Sequence, residues 1–274
     1  MIETTIGPLH VADTGPSDGP VALAWPSLWM SGDTTWGAVL PSINDSGWRT
    51  LLIDPPGTGN SPSSPTTFSM EQCADAAFEV LDAAGVCEAA VLGLSWGGFV
   101  GLRMSLRAPE RVSGLVLSNT SARRGTFVNR SRDRLVSFIL RNKLPLKPGS
   151  LVEAGMLAPQ YREKNPVFSG HLRESVDRLD PVGIAMANKS VMVDRTDISG
   201  DLGRIKTPTL VISGSVDKGL PPEHSRDLSA GMPNARLEML EGVGHLSARE
   251  QPEVVIGLIK NFLSELPNTE SRSS

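Results

Sequence analysis

One serine, Ser95, occupies a position in this sequence where a hydroxyl group could act as a nucleophile. It lies at the centre of the G-x-S-x-G pattern Gly93–Gly97, and a further glycine, Gly98, follows at once. The apolar run 89–92 predicts a buried strand before it, and 99–106 predicts a helix after it. At so sharp a turn, bulky residues beside the serine would clash with the strand and the helix. The glycines avoid that clash and therefore favour an exposed nucleophile with a strained backbone. The alternative is a glycine-rich turn with an idle serine.

A serine hydroxyl is a weak nucleophile and needs a neighbouring base to accept its proton. His245 fits that role, because it lies in a glycine-flanked loop directly after the predicted strand 236–240. The other three histidines lie in the first hairpin, in a helical region and at a helix start, where a lone histidine is usually structural or exposed. They are His10, His171 and His224. We therefore predict that His245 is the general base.

The base needs a carboxylate to orient it, and Asp217 is the predicted partner. Asp217 follows the predicted strand 209–213, so it and His245 both lie in loops at the carboxyl ends of strands. Open α/β sheets bind ligands at that edge, where the serine also falls. Glu241 and Asp54 remain alternative acids, because an acidic residue in a turn is often only a turn former.

Acyl transfer also requires N–H groups that bind the negatively charged oxygen of the transition state. One should be the backbone N–H of Trp96, the residue after the nucleophile, and the second should come from the loop after strand 21–25. That loop begins with Pro26, which has no N–H. Ser27 is therefore the predicted second donor, and Leu28 is the alternative.

Strands alternate with single helices along most of the chain, which predicts a mostly parallel central sheet flanked by helices, an α/β fold. The predicted strands are 2–6, 9–13, 21–25, 49–53, 89–92, 111–118, 209–213 and 236–240. The alternation stops within 121–201, where helical patches occur without a buried strand. We expect an α/β core from 1–120 and 202–266, a helical cap at 121–201 after the sixth strand, and a disordered tail at 267–274.

The composition is that of an ordinary soluble globular protein, with 39% apolar and 20% charged residues among 274. A net charge of −4 gives no general attraction to nucleic acid, so no nucleic-acid partner is expected. The first residues lack the basic and apolar regions of a signal peptide, and no apolar run is long enough to span a membrane. These features predict a cytoplasmic protein without a membrane partner.

No pattern for a metal or cofactor is present in the sequence. The two cysteines, Cys73 and Cys87, suggest buried or half-buried thiols rather than a disulfide framework or a metal site. There is no phosphate-binding G-x-x-x-x-G-K-[ST] loop, and Gly57-Thr-Gly59 continues to Pro62 where a dinucleotide fingerprint requires glycine. We therefore expect chemistry without a metal, nucleotide or redox cofactor.

Three of the five tryptophans, Trp25, Trp29 and Trp96, lie in the two loops predicted to frame the nucleophile. One interpretation is an aromatic wall that favours a flat or ring-containing substrate. The other is that these rings simply pack beneath the insertion. Trp25 and Trp29 are therefore candidate substrate-binding residues.

The first part of the insertion is strongly basic. Residues 123–147 carry eight basic side chains and one acidic side chain. One interpretation is that they steer an anionic substrate, with Arg124 and its neighbour Arg123 closest to the predicted site. The other is a solvated helix face, which is the more common meaning of a run of charges.

Together these motifs resemble the α/β-hydrolase fold superfamily over about residues 2–264. The resemblance rests on the glycine-rich turn Gly93–Gly98, on Asp217 and on Gly244-His245. It also rests on the loop Asp54–Ser61, which is similar to the superfamily's D-x-x-G-x-G-x-S loop. Within the superfamily, the chain looks most like the 3-oxoadipate enol-lactonase and esterase branch. That similarity rests on Ser27-Leu28, Leu115–Arg123 and His245–Glu253. The resemblance implies an α/β-hydrolase fold with a Ser-His-Asp triad.

Three departures from the family pattern concern the pocket walls. Trp25-Pro26 stand where many relatives have His-Gly, and Trp29 stands where enol-lactonases usually have glycine. Trp96 replaces the methionine that commonly follows the nucleophile in that branch. The resemblance therefore implies the fold and the triad for this chain, and these departures leave the substrate of the branch open.

The sequence therefore predicts a serine hydrolase that cleaves a small-molecule carboxylic ester or lactone through an acyl-enzyme on Ser95. The same triad would also serve a C–C bond hydrolase, a perhydrolase or an acyltransferase. From another class, some members of this fold are small-molecule receptors with little turnover. An aspartate-nucleophile dehalogenase or epoxide hydrolase is disfavoured, because position 95 is serine.

Overall fold

The central feature is a sheet of seven strands in the order β1-β3-β2-β4-β5-β6-β7. The computed structural model describes residues 1–267, so the predicted tail 267–274 lies, except for Pro267, outside the described residues. The strands are β1 His10–Thr14, β2 Val21–Trp25, β3 Arg49–Asp54, β4 Ala89–Leu94, β5 Val112–Ser118, β6 Thr209–Gly214 and β7 Ala235–Leu240. The α/β-hydrolase fold expected from the sequence is thereby confirmed.

All neighbouring strands pair in parallel except β1, which pairs antiparallel with β3. The hairpin predicted at the start of the chain is wrong. Residues 2–6, predicted as its first strand, form only an isolated bridge between Ile2 and Leu9. Gly7 and the turn before it leave too few residues for a ladder of strand hydrogen bonds. The helical insertion therefore follows the fifth strand of the sheet, β5, which is the strand predicted as the sixth.

The helices connect the strands and cover both faces of the sheet. They are α1 Gly32–Trp36, α2 Leu40–Asp45, α3 Met70–Ala83, α4 Trp96–Arg107, α5 Phe127–Arg141, α6 Pro148–Met156, α7 Pro159–Lys164, α8 Pro166–Asp177, α9 Pro181–Asn188, α10 Glu223–Gly231, α11 Ser247–Glu250 and α12 Pro252–Ser264. The predicted start of α3 is confirmed, since Ser69 and Gln72 form a reciprocal capping box. No helix among residues 1–267 combines the length and the apolar character needed to cross a bilayer.

One predicted helix, over 34–43, is two short helices in the structure. Ser31 rather than Asp33 caps the first, because its side chain accepts the N–H of Thr34. Pro41 lies in the first turn of α2, where a missing N–H costs nothing, so it starts a helix instead of interrupting one.

Two hydrophobic clusters, one on each face, hold the sheet between its helices. β2, β4 and β6 are buried along their whole length, which explains why their sequences are continuous apolar runs without alternation. A third, smaller cluster lies within the insertion, where Leu140 of α5 meets Ile184 and Ala185 of α9. The core thus fixes the carboxyl ends of the strands, from which the predicted site residues project.

Candidate active site

Ser95 lies at the turn between β4 and α4, and its backbone has φ 56° and ψ −108°. A positive φ is rare for a residue with a side chain and costs of order 1–3 kcal/mol, so the surroundings must enforce it. The Ser95 N–H donates to the carbonyl of Ser118 at 2.9 Å, and the Ser95 carbonyl accepts the hydroxyl of Thr120 at 2.7 Å. β4 and β5 therefore hold the strained turn from both sides, as the sequence pattern predicts for a nucleophile elbow.

The elbow glycines are required by close backbone approach. A Cβ at Gly97 would lie 2.0 Å from the carbonyl oxygen of Trp25, and one at Gly93 would lie 2.4 Å from the backbone of Gly97. The N–H of Gly97 also donates to the carbonyl of Pro26 at 3.2 Å. The elbow and the loop after β2 are thereby pressed together, which brings the two predicted oxyanion-binding segments side by side.

Gly97→Ala is expected to destabilise the chain by about 3 kcal/mol or more, because a backbone carbonyl has to move to admit the methyl group. Chemical denaturation with the midpoint and slope measured together tests this prediction. Gly257→Ala is the matched control, since Gly257 lies in α12 and a Cβ there meets nothing within 4 Å. Equal stability of the two variants would contradict the tight packing at the elbow.

The predicted acid and base are in contact. Nδ1 of His245 lies 2.8 Å from Oδ2 of Asp217, and both side chains are almost fully buried, with 1% and 0% exposed. The other carboxylate oxygen accepts the N–H groups of Gly219 at 2.8 Å and Leu220 at 3.0 Å. A carboxylate held in this way next to Nδ1 keeps the proton on that nitrogen and leaves Nε2 with its lone pair free.

Nε2 of His245 is buried and has no hydrogen-bond partner among residues 1–267. The structure accordingly does not bring the Ser95 hydroxyl into a hydrogen bond with it. Serine–histidine contacts are often long in the absence of substrate and shorten in the reacting complex. A buried imidazole nitrogen with nothing to bind is the feature expected of a base that waits for a proton.

The two alternative acids do not contact His245. The carboxylate of Asp54 accepts the N–H groups of Gly32 at 2.8 Å and Asn60 at 3.0 Å and lies 3.0 Å from Nδ1 of His10. Glu241 is exposed at the end of β7. Asp217 is therefore the acid that the geometry supports.

The two candidate oxyanion donors in the loop after β2 differ in their bonding. The N–H of Ser27 is directed at the hydroxyl of Thr35, 3.4 Å away, whereas that of Leu28 has no acceptor among residues 1–267. The N–H of Trp96 likewise has no acceptor within that range. An unpaired N–H beside the elbow is what an oxyanion site requires, so the structure favours Leu28 over Ser27 as the second donor.

Comparison with known proteins gives the family of this chain. The alpha/beta hydrolase fold family matches residues 24–252. The chain belongs to the α/β-hydrolase family. A Variovorax paradoxus protein named for a proposed carbamate hydrolase activity, RutD, is 27% identical over 94% of this chain and 97% of its own length.

Two solved structures resemble this α/β hydrolase over nearly its whole length. An esterase from Thermogutta terrifontis superposes with a TM-score of 0.88 at 26% identity, covering 96% of this chain and 97% of its own. The enol-lactonase from Burkholderia xenovorans superposes with a TM-score of 0.86 at 25% identity, covering 94% of this chain and 96% of its own.

The sequence did not reveal Asn119 as a residue of the site. Its buried side-chain amide donates to the same Asp217 oxygen that faces His245, at 2.9 Å, and to the carbonyl of Gly244 at 3.3 Å. Its backbone φ of 48° turns the chain at the end of β5. Asn119 thus links the acid to the histidine loop, and only its place directly after a strand hinted at this role.

Glu250 was also missed, although it lies five residues after His245. Its carboxylate accepts the N–H of Gly244 at 3.0 Å and that of Ala158, in the insertion, at 3.3 Å. The N–H of His245 in turn donates to the carbonyl of Met156 at 2.8 Å. These bonds fasten the histidine loop to the segment between α6 and α7. Burial raises the pKa of the Glu250 carboxyl to about 7, against the hydrogen bonds from Gly244 and Ala158, which lower it.

Glu250 is expected to make the stability of this α/β hydrolase depend on pH. Its folded pKa lies above the ordinary value of 4.5, so protonated Glu250 stabilises the folded chain. That contribution is complete below pH 4.5 and is lost as the pH rises to about 7. The free energy of unfolding of the wild type, minus that of Glu250→Gln, should fall by about 2 kcal/mol across this window.

Urea unfolding of both proteins across the window measures that difference. Glu253→Gln is the control, because Glu253 is exposed in the first turn of α12. A difference between wild type and Glu250→Gln that stays constant with pH would contradict the raised pKa.

The structure places two of the three tryptophans in the core. Trp25 is fully buried and meets Trp96 edge-to-face at 5.7 Å, while Trp96 stacks on Phe68 at 5.6 Å. The packing interpretation therefore holds for Trp25 and Trp96. Trp29 is different, because it is only partly buried and its indole N–H donates to the carbonyl of Ile184 in α9 at 3.1 Å.

The two arginines predicted near the mouth also differ. Arg123 forms an ion pair with Asp227 at 3.0 Å, which neutralises it. Arg124 is exposed, and its backbone N–H donates to Asp197 at 3.1 Å. Of the pair, Arg124 alone keeps a free guanidinium among residues 1–267. No group of three or more His, Cys, Asp or Glu side chains within that range is arranged to hold a metal ion.

Proposed function

We propose that this α/β hydrolase cleaves a carboxylic ester or lactone through an acyl-enzyme formed on Ser95. The observation that carries the proposal is the buried Asp217–His245 pair, whose free Nε2 lies at the sheet edge that also carries the strained Ser95 elbow. A buried base without a hydrogen-bond partner lowers the stability of the fold, and such groups are retained where they serve a reaction. The esterase and enol-lactonase structures that the chain resembles support the same class of reaction.

In the first step, Nε2 of His245 accepts the Ser95 hydroxyl proton while the oxygen attacks the substrate carbonyl. The imidazole becomes positively charged and is stabilised by Asp217, whose orientation Asn119 fixes. The oxyanion is bound by the N–H groups of Trp96 and Leu28, each worth about 3 kcal/mol in the transition state. His245 then returns its proton to the leaving alcohol oxygen, and the acyl group remains on Ser95.

In the second step, His245 accepts a proton from water, which attacks the acyl carbonyl. The bond between the acyl carbon and the Ser95 oxygen then breaks, His245 returns the proton to that oxygen, and the acid is released. We propose that the insertion, residues 121–201, is the cap that closes over this reaction. Its bonds to the histidine loop and to Trp29 support that role, since both join the insertion directly to the site.

The substrate preference should depend on Trp29, the partly exposed tryptophan of the site. Trp29→Gly is expected to lower kcat/KM for an aromatic ester by about tenfold relative to a short aliphatic ester, because a ring contact is lost. Trp29 already has a φ of 62°, so glycine fits the backbone there without strain. An unchanged ratio between the two esters would remove Trp29 from the substrate site.

Carbamate hydrolysis is a second candidate, favoured by the name of the Variovorax paradoxus relative. The same serine attack applies to a carbamate carbonyl, and the leaving nitrogen takes the proton that His245 carries. The reactions differ only in the leaving atom, so substrate trials have to separate them.

The deciding experiment is proton release under weak buffering on charged lactones, neutral lactones, simple esters and carbamates. Release needs no chromophore, so it does not favour artificial substrates. We expect an ester or lactone to dominate, with the signal abolished in Ser95→Ala. A dominant anionic lactone that loses its advantage in Arg124→Ala would support Arg124 as the substrate contact. Turnover of carbamates alone would replace the proposed substrate class, and binding without turnover would indicate a receptor.

A further inference from the structure

Helix α5 turns an apolar face outward. Phe127, Val128, Leu135 and Phe138 are 72%, 73%, 58% and 59% exposed. Their spacings of three, seven, eight and eleven residues place them on one side of the helix. The opposite, inward side carries the polar Asp133 and Ser137 together with Leu140. The outward side thus carries four exposed apolar side chains, with the polar Ser131 among them.

Two inward polar groups, the Asp133 carbonyl and the Ser137 hydroxyl, are hydrogen-bonded to α9, whereas Oδ2 of Asp133 has no hydrogen-bond partner among residues 1–267. The amide of Asn188, at the end of α9, donates to the carbonyl of Asp133 and to the hydroxyl of Ser137, both at 3.0 Å. Ser137 also donates to the Asp133 carbonyl at 2.9 Å. Rotating the helix to bury its phenylalanines would break this network. The apolar face is therefore a stable surface of the folded chain.

Basic side chains border the apolar face. Arg134 and Arg141 flank it on one side and Arg132 on the other, as the helical repeat of 100° per residue requires. Lys143 and Lys147 continue the positive charge beyond the end of the helix. Among residues 1–267, Arg132 pairs with Asp133, whereas Arg134, Arg141 and the two lysines form no ion pair. The apolar face thus has unpaired cations along one border and beyond the end of the helix, and the paired Arg132 along the other, in a chain whose net charge is −4.

Two occupants that the chain itself could supply fit poorly. The terminal residues 268–274 contain no apolar side chain, so they offer nothing to cover the phenylalanines. A symmetric dimer through α5 would set the arginines of both copies against each other, because both borders of the face are basic. The surface that complements an apolar stripe between cations is an anionic lipid layer.

We propose that α5 docks this protein onto an anionic membrane surface. Phe127, Val128, Leu135 and Phe138 enter the boundary between headgroups and acyl chains, and Arg134 and Arg141 contact the lipid phosphates. The helix lies on the bilayer and does not cross it. None of these six side chains forms a hydrogen bond or an ion pair with Ser95, Asp217 or His245 among residues 1–267, so docking is measured by vesicle binding and not by turnover.

The test is co-sedimentation of the full chain with vesicles of phosphatidylglycerol and phosphatidylcholine in equal parts, compared with vesicles of phosphatidylcholine alone. We expect binding to the anionic vesicles that weakens at high salt. Phe127→Ser with Phe138→Ser should weaken it at least about tenfold. Arg134→Gln with Arg141→Gln should weaken it about 30-fold.

The control is Leu151→Ser with Val167→Ser, which removes equally exposed apolar side chains, 65% and 71% exposed, from α6 and α8. It should leave vesicle binding unchanged, and all three double variants should unfold at the wild-type temperature. Equal binding to both kinds of vesicle, or no effect of the α5 variants, would overturn the proposal. A dimer in light scattering that Phe127→Ser with Phe138→Ser converts to monomer would assign the face to a second copy instead.

Discussion

Ser95→Ala should lower kcat by about a million-fold while leaving the folded structure intact. The hydroxyl forms the bond to the acyl group, so without it only the oxyanion donors and substrate binding remain to accelerate hydrolysis by water. The methyl group of alanine fits the strained backbone as serine does, since both carry a single Cβ at a φ of 56°. Steady-state rates and thermal unfolding on the same preparation measure both effects.

A matched control is Ser213→Ala at the end of β6. The Ser213 hydroxyl is buried and has no hydrogen-bond partner among residues 1–267, so its loss should change the rate little. Ser95→Ala with more than a hundredth of wild-type activity would show that another group is the nucleophile.

Asp217→Asn should lower kcat by about 10⁴-fold. In the wild type, Nδ1 of His245 and the Asn119 amide both donate to Oδ2 of Asp217. An amide NH₂ group in place of that oxygen would face these two donors with a third. The imidazole would relieve that conflict by moving its proton to Nε2, and it could then no longer accept the serine proton. The rate as a function of pH should lose the wild-type plateau and rise only where hydroxide takes over the role of the base.

Glu241→Gln serves as the control for this change, because Glu241 is an acidic loop residue that is exposed and does not contact His245. The kcat of Asn119→Ala should lie between those of Asp217→Asn and Glu241→Gln, because this change removes one hydrogen bond to Asp217 and leaves the carboxylate in place. If Asp217→Asn kept a tenth of the wild-type rate, the orienting acid would have to be a different residue.

The sequence could place Asp217 and His245 at one site for a topological reason. Each follows a strand of a parallel sheet, and parallel strands end at a common edge, so residues far apart in the chain are brought to one place. The glycines around Ser95 indicated a steric requirement that the structure explains by the approach of Gly97 to Trp25. These signals lie in the local sequence and do not depend on which segments pack around the site.

Other features of the site depend on contacts between distant segments and left no such signal. Asn119 meets Asp217 only because β5 and β6 are neighbours in the sheet. Glu250 joins the histidine loop to Ala158, a residue of the insertion whose position no motif fixes. The preference for Leu28 over Ser27 rests on the hydroxyl of Thr35, which accepts the N–H of Ser27 and leaves that of Leu28 unpaired in the part of the chain that the structure describes. The burial of Trp25 likewise follows from packing and not from its place beside a loop.

The most direct test of this account is the mass of the intact protein during turnover of a slow ester, after rapid acid quenching. We expect a species heavier by the acyl group, with the addition located on Ser95 by peptide fragmentation. The species should be absent in Ser95→Ala and should form far more slowly in His245→Ala. Steady turnover by the wild type without any acyl adduct, or an adduct on another residue, would contradict an acyl-enzyme on Ser95.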